Sequence, residues 1–287
     1  MEISRHHKNL SIVDIILAYL NCLIQYSRSF VRYRRRYENF FSVMYGVMRK
    51  KYPIQAILRN KSTIQFSSQE QIWLDLAGIP FSAEKDIAYV DSLQVIGGTS
   101  KGELANIFVS NAYKSLPVSG REVIDIGANI GDSSLYFVIK GAKKVCAIEP
   151  NRELYELAMQ NMQINNMSNQ TVMVWAGCSS RTSTNSKPPF FSLDDIIKLY
   201  DISPDILKID CEGCEYDILL NTSDDLIRCF SYILVEYHYG YKNIKKRLER
   251  CGFKINVCRP TYRSKVRDPS NLGILFSKNP IPNINNP

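Results

Sequence analysis

From residue 122 onward, short apolar runs alternate with longer amphipathic segments. The apolar runs predict strands, and apolar positions three or four residues apart in the segments between them predict helices. Strands that alternate with helices predict a mostly parallel sheet covered by helices on both faces. The predicted strands are 123–126, 145–149, 171–175, 205–210, 231–237, 253–258 and 273–277, the last two as a hairpin, and the predicted helices are 132–140, 151–165, 192–200, 214–220 and 241–250.

The first 120 residues have a less regular pattern. Residues 11–24 place apolar side chains at helical spacing and polar ones on another face, which predicts an amphipathic helix that runs into a basic segment at 28–36. Residues 62–66 resemble a strand, and 93–96 with 107–109 predict a hairpin around Gly97-Gly98 and Lys101-Gly102. We therefore expect a basic helical arm at 1–60, a small subdomain or lid at 61–120 and the α/β domain at 121–280.

The net charge of +8 is concentrated at the amino-terminal end. Residues 1–61 hold 12 lysines and arginines against 3 acids, whereas the remainder holds 24 against 25. The basic character therefore belongs to the arm and says little about the α/β domain. The apolar part of the arm is too short to cross a bilayer. Two interpretations of residues 11–36 stay open, packing on this protein or a partner subunit and contact with a membrane surface or a nucleic acid.

Residues 123–151 have the pattern of a nucleoside-binding unit, with a strand, a glycine turn, a helix and a second strand. Gly127 permits a sharp turn and lets a ligand lie against bare backbone. Gly131 is expected to let the start of the helix pack closely on the strand. Glu149 ends the second strand, where a carboxylate can accept hydrogen bonds from both ribose hydroxyls.

The glycine turn favours one cofactor over another. A dinucleotide site has a middle glycine in this turn, and Asn129 stands in its place. A turn of this kind followed by an acid suits S-adenosylmethionine, whose amino-acid end needs polar groups such as Asp125. Asp132 or Ser133 is expected to cap the helix that follows. The candidate cofactor-binding residues are Asp125, Gly127, Asn129, Gly131, Asp132, Glu149, Ala176 and Lys208.

The strand at 205–210 carries a lysine in an apolar run. In a central strand Lys208 is buried, and an unpaired buried ammonium group is costly. The strand at 123–126, expected next to it, holds the single charge Asp125. We expect Lys208 to pair with Asp125 beneath the cofactor, in a role that is either structural or functional.

The candidate catalytic residues are Asp210, Glu236 and His238, with Glu212 nearby. Asp210 and Glu236 end strands expected to be adjacent, and His238 lies two residues farther on, so it faces the same way. We expect His238, with a pKa near its ordinary value of about 6.5, to be the base and Asp210 to orient an acceptor hydroxyl. Glu236 would hold the histidine or the acceptor. Magnesium ligation and an ordinary surface histidine are the alternatives, and we assign no metal.

Cys211 and Cys214 form the single C-x-x-C among eight cysteines. A structural zinc site needs a second pair, and the sequence has none at suitable spacing. Buried free cysteines behave as small apolar residues. We therefore interpret the cysteines as incidental, leave a redox role of the C-x-x-C open, and expect a reducing cytoplasm.

Five stretches, VIDIGANIGDSSLYF, AIEPN, FSLDDII, LKIDCEGCEYDIL and ILVEYH, resemble in order and spacing the motifs of the FkbM-type methyltransferases. The resemblance covers residues 122–253. It implies a Rossmann-like class I methyltransferase fold with a seven-stranded sheet, S-adenosyl-L-methionine as donor, and methyl transfer, typically to a hydroxyl of a sugar, glycolipid or other natural product. The basic arm and the polar stretch after Cys178 depart from the family pattern, so the acceptor is not indicated.

These observations predict a methyltransferase in the cytoplasm, either free or at a membrane surface, acting on a hydroxyl-bearing small molecule or glycan. One alternative is an RNA methyltransferase that uses the basic arm to bind phosphates. The α/β domain is neutral overall and lacks an N-P-P-Y-type base-flipping motif, so we do not expect a nucleic-acid partner. The other alternative is a non-catalytic cofactor-binding scaffold of the same fold.

Overall fold

The computed structural model describes residue 24, residues 27–258 and residues 272–281. The amino-terminal part of this described chain contains three helices, two small antiparallel sheets and a π-helix. In chain order these elements are α1 (27–36), α2 (Phe40–Arg49), β1 (Ile54–Ile57), β2 (Thr63–Phe66), α3 (Gln69–Ala77), β3 (Phe81–Ser82), β4 (Ile87–Val90), β5 (Leu93–Ile96) and the π-helix Ala105–Val109.

The hairpin predicted for residues 93–96 and 107–109 is wrong. β5 pairs antiparallel with β4, and the second segment belongs to the π-helix. Leu104 and Ile107 are both buried, and their separation of three residues suits one face of a helix. Three apolar residues in a row are too few to show whether the period is that of a strand or of a helix.

The α/β domain follows the predicted alternation closely. Its elements are β6 (Glu122–Ile126), α4 (Asp132–Ile139), β7 (Lys144–Ile148), α5 (Arg152–Ile164), β8 (Thr171–Val174), β9 (Gly177–Cys178), β10 (Phe190–Phe191), α6 (Leu193–Tyr200), β11 (Ile206–Ile209), α7 (Cys214–Asn221), α8 (Asp224–Cys229), β12 (Tyr232–Tyr237), α9 (Lys242–Arg250), β13 (Lys254–Cys258) and β14 (Gly273–Lys278).

Seven strands form one sheet in the order β13-β14-β12-β11-β6-β7-β8. All neighbouring strands are parallel except at β14, which runs antiparallel to β12 and β13. The predicted Rossmann-like fold and the closing hairpin are therefore confirmed. Every residue of β6 and β11 is buried, as expected for central parallel strands. The order reverses between β6 and β11, and ligands bind such sheets at this switch point, beyond the carboxyl ends of the strands.

The start of α4 differs from the prediction in two respects. Its N-cap is Gly131, which makes no side-chain capping bond, so neither Asp132 nor Ser133 caps the helix. Gly131 also packs on α5 rather than on the strand, because an added Cβ would lie 2.7 Å from Met162 Cε. A positive φ of 82° at this position further favours glycine.

An N-terminal cluster of buried side chains joins the two regions that we separated at residue 60. Its buried members are Tyr33, Tyr37, Val43, Ile54, Ala56, Phe66 and Ile72. β1 and β2 pair across residue 60, and the predicted domain boundary there stays a prediction. Apart from Ile24, the predicted amphipathic helix at 11–24 lies outside the described residues. Within the described part of the chain, no helix has the length and apolar character needed to cross a membrane.

Deleting residues 1–50 should destabilise the protein because it removes Tyr37 and Val43 from the N-terminal cluster and exposes their partners to water. We expect the free energy of unfolding to fall by more than about 3 kcal/mol. Deleting residues 1–23 keeps every buried residue named above for the cluster and is the matched control. Urea unfolding of both truncated forms measures the difference, and equal stabilities would contradict this role of α1 and α2.

Candidate functional site

A fully buried ion pair lies beneath the glycine turn. Lys208 Nζ is 2.9 Å from Asp125 Oδ1, and the two residues stand opposite each other on β11 and β6. The other carboxylate oxygen of Asp125 accepts hydrogen bonds from the hydroxyls of Ser133 and Ser134, at 2.6 and 2.7 Å. The pair expected from the sequence is present, and its anion is further stabilised by the first turn of α4.

The same ammonium group supports the glycine turn directly. Lys208 Nζ donates to the carbonyl oxygen of Gly127 at 2.8 Å. Burial alone would lower the pKa of Lys208, but the charges of Asp125 and Asp210 raise it overall. Gly127 has a φ of 78°, and a Cβ there would lie 1.7 Å from the carbonyl oxygen of Asp210. The turn therefore requires glycine, and it is in direct backbone contact with the end of β11.

Glu149 lies beside the glycine turn at the carboxyl end of β7. Its two oxygens accept hydrogen bonds from the backbone N–H groups of Asn129 and Asn151, at 2.9 and 2.8 Å. Burial raises the pKa of this carboxyl group. Each carboxylate oxygen can accept a second hydrogen bond, so Glu149 holds the turn and can still accept donors from a ligand.

Asn129 and Asp132 connect the turn to the segment at 101–103. The Asn129 side-chain amide donates to the carbonyl oxygen of Lys101 at 2.8 Å. Asp132 accepts from the backbone N–H of Glu103 at 2.7 Å, and burial raises its pKa to about 7. Part of the predicted lid is thereby fixed against the turn. The cofactor contacts of these two residues stay predictions, as does that of Ala176, which is buried in the core after β8.

The structure brings the three candidate catalytic residues together at the carboxyl ends of β11 and β12. Their potential ligand atoms all lie within 4.8 Å of one another. His238 Nε2 lies 3.8 Å from Asp210 Oδ1 and 3.5 Å from a carboxylate oxygen of the exposed Glu212. Glu236 is buried beside them. The arrangement suits the base and orienting roles expected from the sequence, and it could also hold a divalent cation.

Glu215 is the residue of this site that the sequence analysis missed. It is fully buried, and its Oε1 lies 3.0 Å from His238 Nδ1. The same oxygen accepts from the backbone N–H of His238, while Oε2 accepts from that of Gly213. Since a carboxylate can only accept, Nδ1 carries the proton and leaves the Nε2 lone pair of a neutral imidazole facing Asp210. A carboxylate that orients a histidine is a common arrangement around catalytic bases.

The pKa of His238 differs from the expected ordinary value. Burial lowers the pKa, but the hydrogen bond with Glu215 and the charges of Glu215, Asp210 and Glu212 raise it more, so the net direction is upward. Its side chain is 8% exposed, and Nε2 makes no hydrogen bond within the described residues. The expectation of an unshifted pKa near 6.5 is therefore corrected.

The cysteines of the C-x-x-C are bonded to each other. A disulfide joins Cys211 to Cys214, whose Cα atoms are 5.6 Å apart. The bond closes the loop between Asp210 and Glu215, so the expectation that this pair is incidental is corrected. The cysteines at 146, 178, 229 and 251 are buried, in keeping with their interpretation as small apolar residues.

The α/β domain is similar in sequence to known proteins. Residues 125–255 match the model of the methyltransferase FkbM domain. The chain is 29% identical over 107 residues to uncharacterized protein 158B of Sulfolobus islandicus rod-shaped virus 1, covering 37% of this chain and 56% of that protein. This chain thus spans about half the length of that viral relative.

Two solved structures resemble the chain at low sequence identity. The methyltransferase FkbM of Methylobacillus flagellatus KT is 19% identical with a TM-score of 0.45, covering 57% of this chain and 45% of that chain. M. capricolum TrmK, in complex with S-adenosyl-homocysteine, is 15% identical with a TM-score of 0.45, covering 60% of this chain and 67% of that chain.

Replacing Lys208 by methionine should destabilise the protein because it leaves the Asp125 carboxylate buried without its cation. We expect a loss of about 3–5 kcal/mol in the free energy of unfolding. The double variant Lys208→Met with Asp125→Asn should recover much of the loss, since it removes both charges. Urea unfolding of the single and double variants provides the test, and a single variant as stable as the parent would show that the pair is dispensable.

Proposed function

We propose that this protein transfers a methyl group from S-adenosylmethionine to a hydroxyl oxygen, as the match of residues 125–255 to the methyltransferase FkbM domain suggests. The proposed acceptor is a sugar, a glycolipid or another small natural product. The observation that carries the proposal is that Glu149 and His238 lie at the same edge of the sheet. Glu149 lies at the end of β7 beside the glycine turn, and His238 lies just beyond β12 with its Nε2 facing the end of β11.

The residues around the turn fit the nucleoside half of this cofactor. Glu149 keeps lone pairs for the two ribose hydroxyls, and the positive φ of Gly127 leaves its backbone bare for close approach. When bound, the cofactor supplies a methyl group on a positively charged sulfur. The carboxylates at the ends of β7, β11 and β12 would favour a cation in this region.

His238 is the proposed base. Transfer of a methyl group is an in-line displacement, so positioning the acceptor oxygen contributes most, and removal of its proton contributes further. Glu215 fixes the imidazole ring through Nδ1, which leaves Nε2 to accept the proton of the acceptor hydroxyl. Asp210, with its carboxylate close to Nε2, would orient that hydroxyl and stabilise the imidazolium ion that forms.

The negative charge of the site and an exposed aromatic ring beside it favour a neutral acceptor over RNA. Asp210, Glu212 and Glu236 surround His238, and three carboxylates repel phosphate groups. Tyr239, the residue after His238, is 63% exposed and packs against Tyr216. An exposed aromatic ring beside the base offers an apolar surface on which a sugar ring can lie.

The acceptor class can be tested by incubating the protein with methyl-labelled S-adenosylmethionine and separate glycan, lipid and RNA fractions from cells. The proposal predicts that the label enters the glycan or lipid fraction at a hydroxyl group. Label in RNA alone would contradict the proposed acceptor while leaving methyl transfer intact. Calorimetric titration without any detectable S-adenosylmethionine binding would instead favour a protein that does not use this cofactor.

Glu149→Ala should weaken S-adenosylmethionine binding because the variant cannot accept the two ribose hydrogen bonds. A hydrogen bond to a charged group contributes about 1.5–3 kcal/mol, so we expect at least about a tenfold rise in Kd. Glu156→Ala on the neighbouring helix α5, where the glutamate is half exposed and pairs with Arg152, is the control. Isothermal titration of both variants, after their unfolding curves are matched, measures the effect. Equal affinities would exclude Glu149 from the cofactor site.

His238→Ala should lower kcat while the Kd for S-adenosylmethionine stays near that of the parent. The pH dependence of turnover gives a second test of His238 as the base. In the parent, kcat should rise with pH through a midpoint above about 6.5, because His238 must be neutral to act as the base and its pKa is raised. Glu215→Gln removes the nearest negative charge and should shift that midpoint to lower pH. Glu212→Gln, whose carboxylate is largely exposed, should shift it less.

These pH profiles are measured with the acceptor that the labelling experiment identifies. Full turnover in His238→Ala would exclude it as the base. Activity that is lost with a chelator and restored by magnesium would favour a metal held by Asp210, Glu236 and His238 instead.

A further inference from the structure

Helix α2 has two apolar faces, and only one of them is buried. Val43 is fully buried in the N-terminal cluster. On another side of the helix, Phe41, Tyr45 and Met48 are exposed to 68%, 58% and 73%. Separations of four and three residues place these three side chains on one stripe. A contiguous exposed apolar stripe of this kind marks an interaction surface.

The apolar stripe lies beside a strongly basic helix. Residues 27–51 contain eight lysines and arginines against the single acid Glu38, a net charge of +7. The rings of Phe30 on α1 and Phe41 on α2 are in contact, with centroids 6.0 Å apart. The two helices therefore present positive charge and apolar side chains side by side.

A cavity of about 370 Å³ opens next to α1, away from the glycine turn. It is lined by Phe30, Val31, Arg34, Arg35 and Arg59. Arg59 donates to the carbonyl oxygen of Arg34, which fixes its position between helix and hairpin. Three arginines thus line one cavity, and guanidinium groups are well suited to bind a phosphate group.

Two acidic side chains of the N-terminal region are paired with cations other than the cavity arginines. Glu38 forms an ion pair with Lys61, and Asp75 forms one with Arg36. In the ion pairs found between described residues, none of the three cavity arginines takes part. An anion from outside the chain would therefore offset positive charges that the acids of the described residues do not pair with.

We propose that this outer face, formed by Val31, Arg34, Arg35, Phe41, Tyr45 and Met48, docks on an anionic membrane surface. A lipid phosphate would occupy the arginine-lined cavity, and the α2 stripe would enter the interface between headgroups and acyl chains. Two copies of the chain would repel each other through these segments, since residues 27–51 carry a net charge of +7. The aliphatic side chains of Val31 and Met48 suit lipid better than RNA bases, which stack on aromatic rings.

The experiment is co-sedimentation of the full chain with vesicles of phosphatidylcholine, with or without phosphatidylglycerol. We expect binding only to the anionic vesicles, and weaker binding at higher salt. The variant Phe41→Ser/Tyr45→Ser/Met48→Ser and the variant Arg34→Glu/Arg35→Glu should each lower the binding constant by at least about tenfold.

Two matched variants control for general loss of apolar surface and of charge. Leu199→Ser removes an apolar side chain that is 61% exposed on α6, and Lys242→Glu/Lys246→Glu makes the same charge change on α9. Both should bind the vesicles like the parent. The proposal is overturned if the anionic vesicles are not bound, if the α9 variant loses binding as much as the arginine variant, or if the outer face binds RNA or a second copy of the chain instead of vesicles.

Discussion

The buried ion pair between Lys208 and Asp125 is the interaction on which the geometry of the site depends. Placing two charges in a protein interior costs several kcal/mol for each, and the cost is offset only where the remaining polar atoms are satisfied. Here Ser133 and Ser134 donate to the carboxylate, and the ammonium group donates to the carbonyl oxygen of Gly127. The pair therefore joins two central strands, the start of α4 and the glycine turn into one rigid unit.

The proposed donor and acceptor halves of the site meet at that unit. The glycine turn and Glu149 form the donor half, and the cluster around His238 forms the acceptor half. Gly127 lies so close to the backbone of Asp210 that no side chain fits between them. The two halves are therefore in direct backbone contact, which suits a reaction that requires two reactants in line.

The parts of this arrangement that the sequence predicts are those set by periodicity and by charge pairing. A lysine and an aspartate that are the single charges of two adjacent buried strands are expected to pair, because an unpaired buried charge is costly. The carboxyl ends of parallel strands lie at the same edge of the sheet, so the residues that follow them come together. Glu215 was missed because its contact with His238 depends on a loop in which Glu212 and Gly213 have positive φ angles. No hydrophobic period encodes such a loop. Likewise, the packing of Gly131 on α5 is a tertiary contact that its own segment does not show.

The most direct test of the central claim is a crystal structure of the protein with S-adenosylhomocysteine. We expect both ribose hydroxyls to lie within hydrogen-bond distance of Glu149, the sulfur to point toward Asp210 and His238, and the contact between Lys208 and Asp125 to be unchanged. A ligand bound elsewhere on the chain, or at the glycine turn with its ribose away from Glu149, would contradict this expectation.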